Sequence, residues 1–253
     1  MLFWPLFWLM RPIVSRRRDT VADDLQERGY SLAAEEWPTV ARGDTTTIAG
    51  VDAPLALVSL RDDRPLTVVS AIANAAHEGC VPVLVAHPQT ASEVEPLLED
   101  PFLLAGRDGG REFVPIEDRI LLSDGSYACL GTTGPVTWFE EESRETDSPP
   151  LALTVGGDRV ATLDSVDGLA CPGPAAATFR YSYARNDAGR FCVFDDGDVL
   201  ERYTSVSAMR ADGFRPVPLP LVPEHHIRDH GRLARATVVA TVDDGVVSYR
   251  SRR

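Results

Sequence analysis

The chain has 253 residues, long enough for a substantial buried core in one domain or two. Its formal charge is −13, all 25 basic residues are arginine, and Asp is more frequent than Glu. A balance this acidic argues against nonspecific nucleic-acid binding, which needs a basic face to release counterions from phosphates.

Residues Met1 to Val14 are apolar and aromatic and run into Arg16, Arg17 and Arg18. A membrane-spanning helix needs about 20 apolar residues, and this run is shorter and interrupted by Pro5 and Arg11. The positive charges follow the apolar part, the reverse of a secretion signal. Two expectations remain for residues 1–18: a weak interfacial attachment through residues 1–14, or a start called too early, with Met10 as the true start and residues 1–9 absent from the native protein. From Asp19 to Arg28 the pattern predicts a short helix capped by Asp19 or Thr20. It places Val21 and Leu25 on one face and Gly29 at the stop. Thr45 to Ile48 reads as an edge strand.

Leu55 to Gln89 is the most structured stretch. Leu55–Leu60 and Val81–Ala86 are continuously apolar, as strands buried on both faces of a parallel sheet are. Between them Pro65 to Glu78 has helical spacing, with Thr67, Ser70, Asn74 and His77 outward and Leu66, Val69, Ile72, Ala73 and Ala76 inward. The expected fold class is therefore α/β, with a central βαβ unit in a partly parallel sheet. Thr90 and Glu93 form a capping box for a next helix, which Pro96 should break or restart.

Beyond Phe102 the texture turns to antiparallel hairpins. Asp124-Gly125, Gly156-Gly157, Asn186 to Gly189, Asp195 to Asp198 and Asp243 to Gly245 mark turns between short apolar runs. Asp195-Asp-Gly-Asp198 resembles the start of a calcium loop but lacks its later ligands, so a hairpin turn is expected. Ser205 to Asp212 reads as a short helix, and Phe214 to Pro223 as Pro-punctuated extended chain. Residues 19–253 are expected to form a single α/β domain, with the polar loop 140–150 as the candidate boundary. Cys80, Cys129, Cys171 and Cys192 lack metal or disulfide spacing, which suits a reduced, cytoplasmic protein.

In open α/β sheets ligands gather beyond the carboxyl ends of the strands. Those ends are Arg61, Asp62, Asp63 and Arg64 after the first strand, and His87 and Gln89 after the second. They are the candidate ligand-binding residues, although Asp62 or Asp63 could simply cap the helix that Pro65 opens. A second candidate is Glu224-His-His-Ile-Arg-Asp-His230. His226 and His230 are four apart, on one face if helical, and His225 and Asp229 could join them on a divalent metal.

The strand-loop-helix-strand order at residues 55–86 resembles the opening of P-loop and RecA-like ATPases. Ser59 to Thr67, however, lacks both glycines and the lysine of the phosphate loop. The resemblance implies at most a degenerate nucleotide-binding domain. In its acidic, lysine-free composition and in texture such as Arg210-Ala-Asp-Gly-Phe-Arg-Pro-Val217, the chain resembles small haloarchaeal proteins of unknown function. That resemblance implies a halophilic, cytoplasmic protein. The leading expectation is a non-catalytic domain binding a protein or small-molecule partner. The alternatives are a metal-dependent enzyme using Asp62, Asp63, His87 and the 225–230 histidines, and a degenerate ATPase-like domain.

Overall fold

The computed structural model describes residues 6–33, 38–43, 47–142, 148–227 and 231–251, with side chains from residue 16 onward. The chain divides into two compact units, 1–103 with 223–253, and 104–222. Stretch 140–150 lies inside the second unit, so the division falls at residues 103/104 and 222/223.

Helix α1 (Leu6–Glu27) is longer than the Asp19–Arg28 pattern predicts. It runs through the 18/19 boundary, so Asp19 and Thr20 are interior and cap nothing; the Thr20 hydroxyl donates back to the Arg16 carbonyl. Val21 and Leu25 are fully buried, as their i, i+4 spacing requires. Gly29, at φ 92°, lets the chain reverse, so that the Tyr30 N–H reaches the Leu25 carbonyl. Two short strands follow, β1 (Ser31–Ala33) and β2 (Thr39–Arg42). Of the strand expected at Thr45–Ile48, the first two residues lie outside the described residues; Ile48 makes an isolated bridge with Val51.

The βαβ unit forms as its sequence dictates: β3 (Leu55–Ser59), α2 (Pro65–His77) and β4 (Val81–Ala86), with β3 and β4 parallel. The buried face of α2 is Val68, Val69, Ala71, Ile72, Ala75 and Ala76. Leu66 and Ala73, expected inward, are only half-buried. Helix α3 (Pro88–Leu98) begins earlier than the Thr90 capping box predicts, because His87 is the N-cap and Pro88 occupies the first turn. It passes through Pro96, in its last turn, without the expected break.

The second unit is antiparallel throughout. Strands β5 (Leu104–Gly106), β6 (Gly110–Phe113), β9 (Val136–Glu141), β10 (Leu151–Val155) and β11 (Asp158–Leu163) form one sheet in the order β11-β10-β9-β6-β5. A second sheet runs β14 (Asp198–Tyr203), β13 (Phe191–Asp195), β12 (Tyr181–Arg185), β8 (Tyr127–Leu130) and β15 (Arg215–Pro216). A two-stranded ladder joins β7 (Pro115–Arg119) to β16 (Pro218–Pro220). The Asp124-Gly125 turn forms and its arms pair at Leu121↔Tyr127, but beyond that bridge they join different sheets, β7 to β16 and β8 to β12. The core lies between the two large sheets: Phe113, Trp138, Leu151 and Leu153 from one meet Ala128 and Leu130 from the other. On the outer face of the second sheet, helix α4 (Val206–Ala211) seats a fully buried Met209 against Tyr183, Val193 and Tyr203. The Ser205 hydroxyl caps α4 by accepting from the Ala208 N–H.

One close approach fixes the β6–β9 pairing. Gly110 sits at φ +151°, and a Cβ there would lie 2.1 Å from the Glu140 carbonyl oxygen. We expect Gly110→Ala to destabilise this unit by about 2–3 kcal/mol, because backbone and not a flexible side chain must move. A urea midpoint unchanged from wild type would contradict this.

The chain then returns to the first unit through α5 (Pro223–His226), α6 (Gly231–Arg235), β17 (Val238–Asp243) and β18 (Val246–Ser251). β17 pairs parallel with β4 and antiparallel with β18, completing a six-stranded sheet in the order β1-β2-β3-β4-β17-β18. Alternation along its strands builds two cores. Leu55, Leu57, Val81, Val83, Val85 and Val238 pack with Val21 and Leu25 of α1. Ala56, Val58, Leu84, Ala86 and Val239 pack with α2, α3 and Ala234 of α6. The unit is thus a three-layer α/β/α arrangement. No helix among the described residues is long and apolar enough to cross a membrane.

Candidate functional site

The strand ends of the α/β unit carry the first set of candidates. The Asp62 carboxylate accepts from the Arg64 backbone N–H (3.2 Å) and from its guanidinium (2.9 Å). The Arg64 side-chain bond, with help from the Thr67 hydroxyl, holds Asp62 below the usual carboxylate range despite partial burial. His87 Nδ1 accepts from the Gln89 backbone N–H at 3.2 Å, and Gln89 Nε2 donates to Glu93 at 3.1 Å. Arg61 and Asp63 are exposed. Asp62 and His87 therefore serve the helix starts that follow them. In a phosphate loop, N–H groups of that first turn are aimed at the ligand; here side chains of the chain itself take the Arg64 and Gln89 donors.

The parallel strands β3, β4 and β17 lie side by side in the sheet in that order, and α2, α3 and α6 all pack on one face. Strand-end crevices form where successive crossovers go to opposite faces. The parallel part of this sheet has no such switch.

The histidine segment lies partly on α5. His225 is exposed, His226 is half-buried, and Asp229 and His230 lie outside the described residues. Among the described residues no three His, Cys, Asp or Glu side chains gather in a way that could hold a metal ion. Burial, aided by the neighbouring His225, pushes the His226 imidazole below its ordinary value of 6.5. The folded state therefore prefers neutral His226. The stability this contributes is present above about pH 6.5 and is lost as pH falls through the depressed folded value. His226→Gln should flatten that part of the pH profile of urea midpoints between pH 8 and 5. A profile parallel to wild type would contradict the assignment.

The β-rich unit holds an open groove of about 520 Å³. Its walls are β7, β15 and β16, closed by the loop after β8 and the end of α4. Pro115, Ile116, Val136, Pro216, Val217 and Pro218 supply its apolar groups, and Arg210, Arg215, Glu117 and Thr133 the polar ones. Arg215 is the unusual member. Its Nη2 donates to the Gly134 carbonyl, while its Nε is buried without a hydrogen-bond partner. Among the described residues no carboxylate pairs with it, and burial pulls it below the ordinary guanidinium range. A guanidinium does not lose its proton in a protein. The effect is therefore a standing cost of an uncompensated, half-buried cation.

Local structure explains how the groove forms. Pro216, Pro218 and Pro220 alternate along the extended chain, so their side carries no N–H donors and cannot recruit a further strand. Trp138 Nε1 donates to the Pro218 carbonyl at 2.8 Å and ties this wall to the core. Gly134 presents its carbonyl to Arg215 from a tight loop, where a Cβ would come within 3.0 Å of the Gly156 nitrogen. Arg210 and Arg215 both lie in the Arg210–Val217 stretch, but nothing local in the sequence marks them as a site. The signal is the absence of an acidic partner, and that is a property of the folded chain.

Compared with known proteins, the chain matches no family model, no curated protein and no solved structure. The class its fold defines is an α/β unit with a β-rich unit inserted in the crossover between two parallel strands.

Proposed function

We propose that this is a non-catalytic ligand-binding protein, halophilic and cytoplasmic, in which the α/β unit is scaffold and the groove of the β-rich unit holds a small molecule. The observation that carries this is Arg215, half-buried in the groove with no acidic partner among the described residues. Buried polar groups left unsatisfied are costly and rare, and they concentrate at sites where something else completes them. The strand-end residues, by contrast, have local structural duties.

The test is an isotope-edited NMR screen of small anions and neutral compounds in molar KCl. Ligands should move the signals of Thr133, Gly213 and Val217, and Arg215→Gln should abolish the effect. Hits that leave those signals unmoved would overturn the reading. The halophilic part has its own check. With −13 of net charge on the chain, self-repulsion grows as screening falls. Lowering KCl from about 3 M to about 0.1 M, which lengthens the Debye length roughly fivefold, should lower the unfolding temperature; an increase would count against halophilic adaptation.

A further inference from the structure

Resting on the reading of this groove as the binding site, we propose that its ligand is a monocarboxylate with an apolar body. Charge sets the first limit. Two guanidinium groups, Arg210 and Arg215, face one carboxylate, Glu117, so the groove's own balance is a single positive charge. A monoanion neutralises it, whereas a phosphate dianion or a nucleotide brings excess negative charge against Glu117. Donor chemistry sets the second. Phosphate sites are usually built from several converging backbone N–H groups at a helix start or a nest. Pro115, Pro216 and Pro218 have no N–H, and the groove's side-chain donors are the two guanidinium groups and the Thr133 hydroxyl. A planar guanidinium fork matches a carboxylate.

The walls set the third limit. Pro115, Val136 and Pro218 offer an apolar surface to the rest of the ligand, backed by the buried Ile116, Pro216 and Val217. The volume, about 520 Å³, lies in the range of small-molecule sites. A highly hydroxylated ligand would leave most of its polar groups unpaired against such walls. An aliphatic or aromatic acid would not. In molar salt the Debye length is about 3 Å, so the repulsion of the distant acidic surface is screened and the local Arg pair decides what enters.

The experiment compares hexanoate, hexanol and inorganic phosphate on the full chain in about 2 M KCl, by calorimetry and by NMR shifts of the groove residues. Hexanoate should bind at least about tenfold more tightly than hexanol, the factor a charge-assisted hydrogen bond supplies. Phosphate should be weaker than hexanoate, and Glu117→Gln should strengthen it. Arg215→Gln should erase the preference for hexanoate. Because that change also removes the bond to Gly134, Arg210→Gln, at the exposed rim, is the second variant and should weaken hexanoate severalfold in a folded protein. Equal binding of hexanol and hexanoate in the groove, or tighter phosphate, overturns the carboxylate assignment and leaves the site standing. Hexanoate shifts confined to residues outside the groove overturn both.

Discussion

Truncating the chain after Val222 should unfold the α/β unit and leave the β-rich unit folded. The truncation removes α5, α6, β17 and β18. β17 supplies the parallel partner of β4, register Val238↔Val83 through Thr241↔Ala86. Without it β4 becomes an edge strand whose six residues are all buried in the intact protein, an open invitation to aggregation. Val238 and Val239 are at most 3% exposed, so their loss alone removes roughly 3–6 kcal/mol of apolar burial. Ala234, Ala240 and the ladder hydrogen bonds add to that. A domain's net stability is only about 5–15 kcal/mol, so the unit crosses its margin. The β-rich unit loses nothing comparable. Its two cores are drawn wholly from residues 104–222. Limited proteolysis of the truncated chain should therefore trim it to a resistant fragment starting near Leu104, with dispersed amide resonances from β-structure. Survival of residues 6–103 as a folded piece, or loss of both units together, would contradict the division.

That experiment bears on what the sequence makes legible. The β3-α2-β4 unit is readable because its signals are local: two apolar runs, a helical period and a proline at the helix start. The pairing of β17 with β4 is not readable, because the two strands are separated by an entire inserted unit and pair through backbone groups that leave no mark on side-chain pattern. The same contrast separates the two candidate sites. Asp62 and His87 stand where ligand-binding residues stand in α/β sheets, and sequence alone cannot distinguish a helix-starting role from a binding one. The bonds to Arg64 and to the Gln89 N–H make that distinction. At the start of α3 two local signals compete, the Thr90–Glu93 capping box and the His87-Pro88 pair. The second prevails because proline at the first helical position costs no hydrogen bond and sets φ for the helix. Arg215 is silent in sequence for another reason. A charge is conspicuous only by what surrounds it, and its surroundings come from β8, β9, α4 and the β7–β16 ladder, brought together only on folding.

Trp138→Ala should be the most damaging single substitution in the β-rich unit. Trp138 is fully buried at the centre of β9, opposite Leu153 of β10 and Phe113 of β6. Truncating a buried aromatic of this size costs about 3–5 kcal/mol in transfer and cavity terms, which approaches the whole stability of a small unit. The indole also carries the bond to the Pro218 carbonyl, and Pro218 is a wall of the groove. Trp138→Phe separates the two roles. It keeps most of the apolar volume and removes the only N–H, leaving the Pro218 carbonyl without the indole donor, for about 1–2 kcal/mol. The urea midpoint of the β-rich unit should therefore fall a little in Trp138→Phe and far in Trp138→Ala. If the hydrogen bond positions the Pro218 wall, Trp138→Phe should also weaken hexanoate binding more than its small stability loss implies, because a population shift of about 1–2 kcal/mol leaves nearly all molecules folded. Unchanged hexanoate binding in a folded Trp138→Phe protein would show that the wall holds its place through backbone pairing of β16 with β7 alone, and that the indole serves the core without shaping the groove.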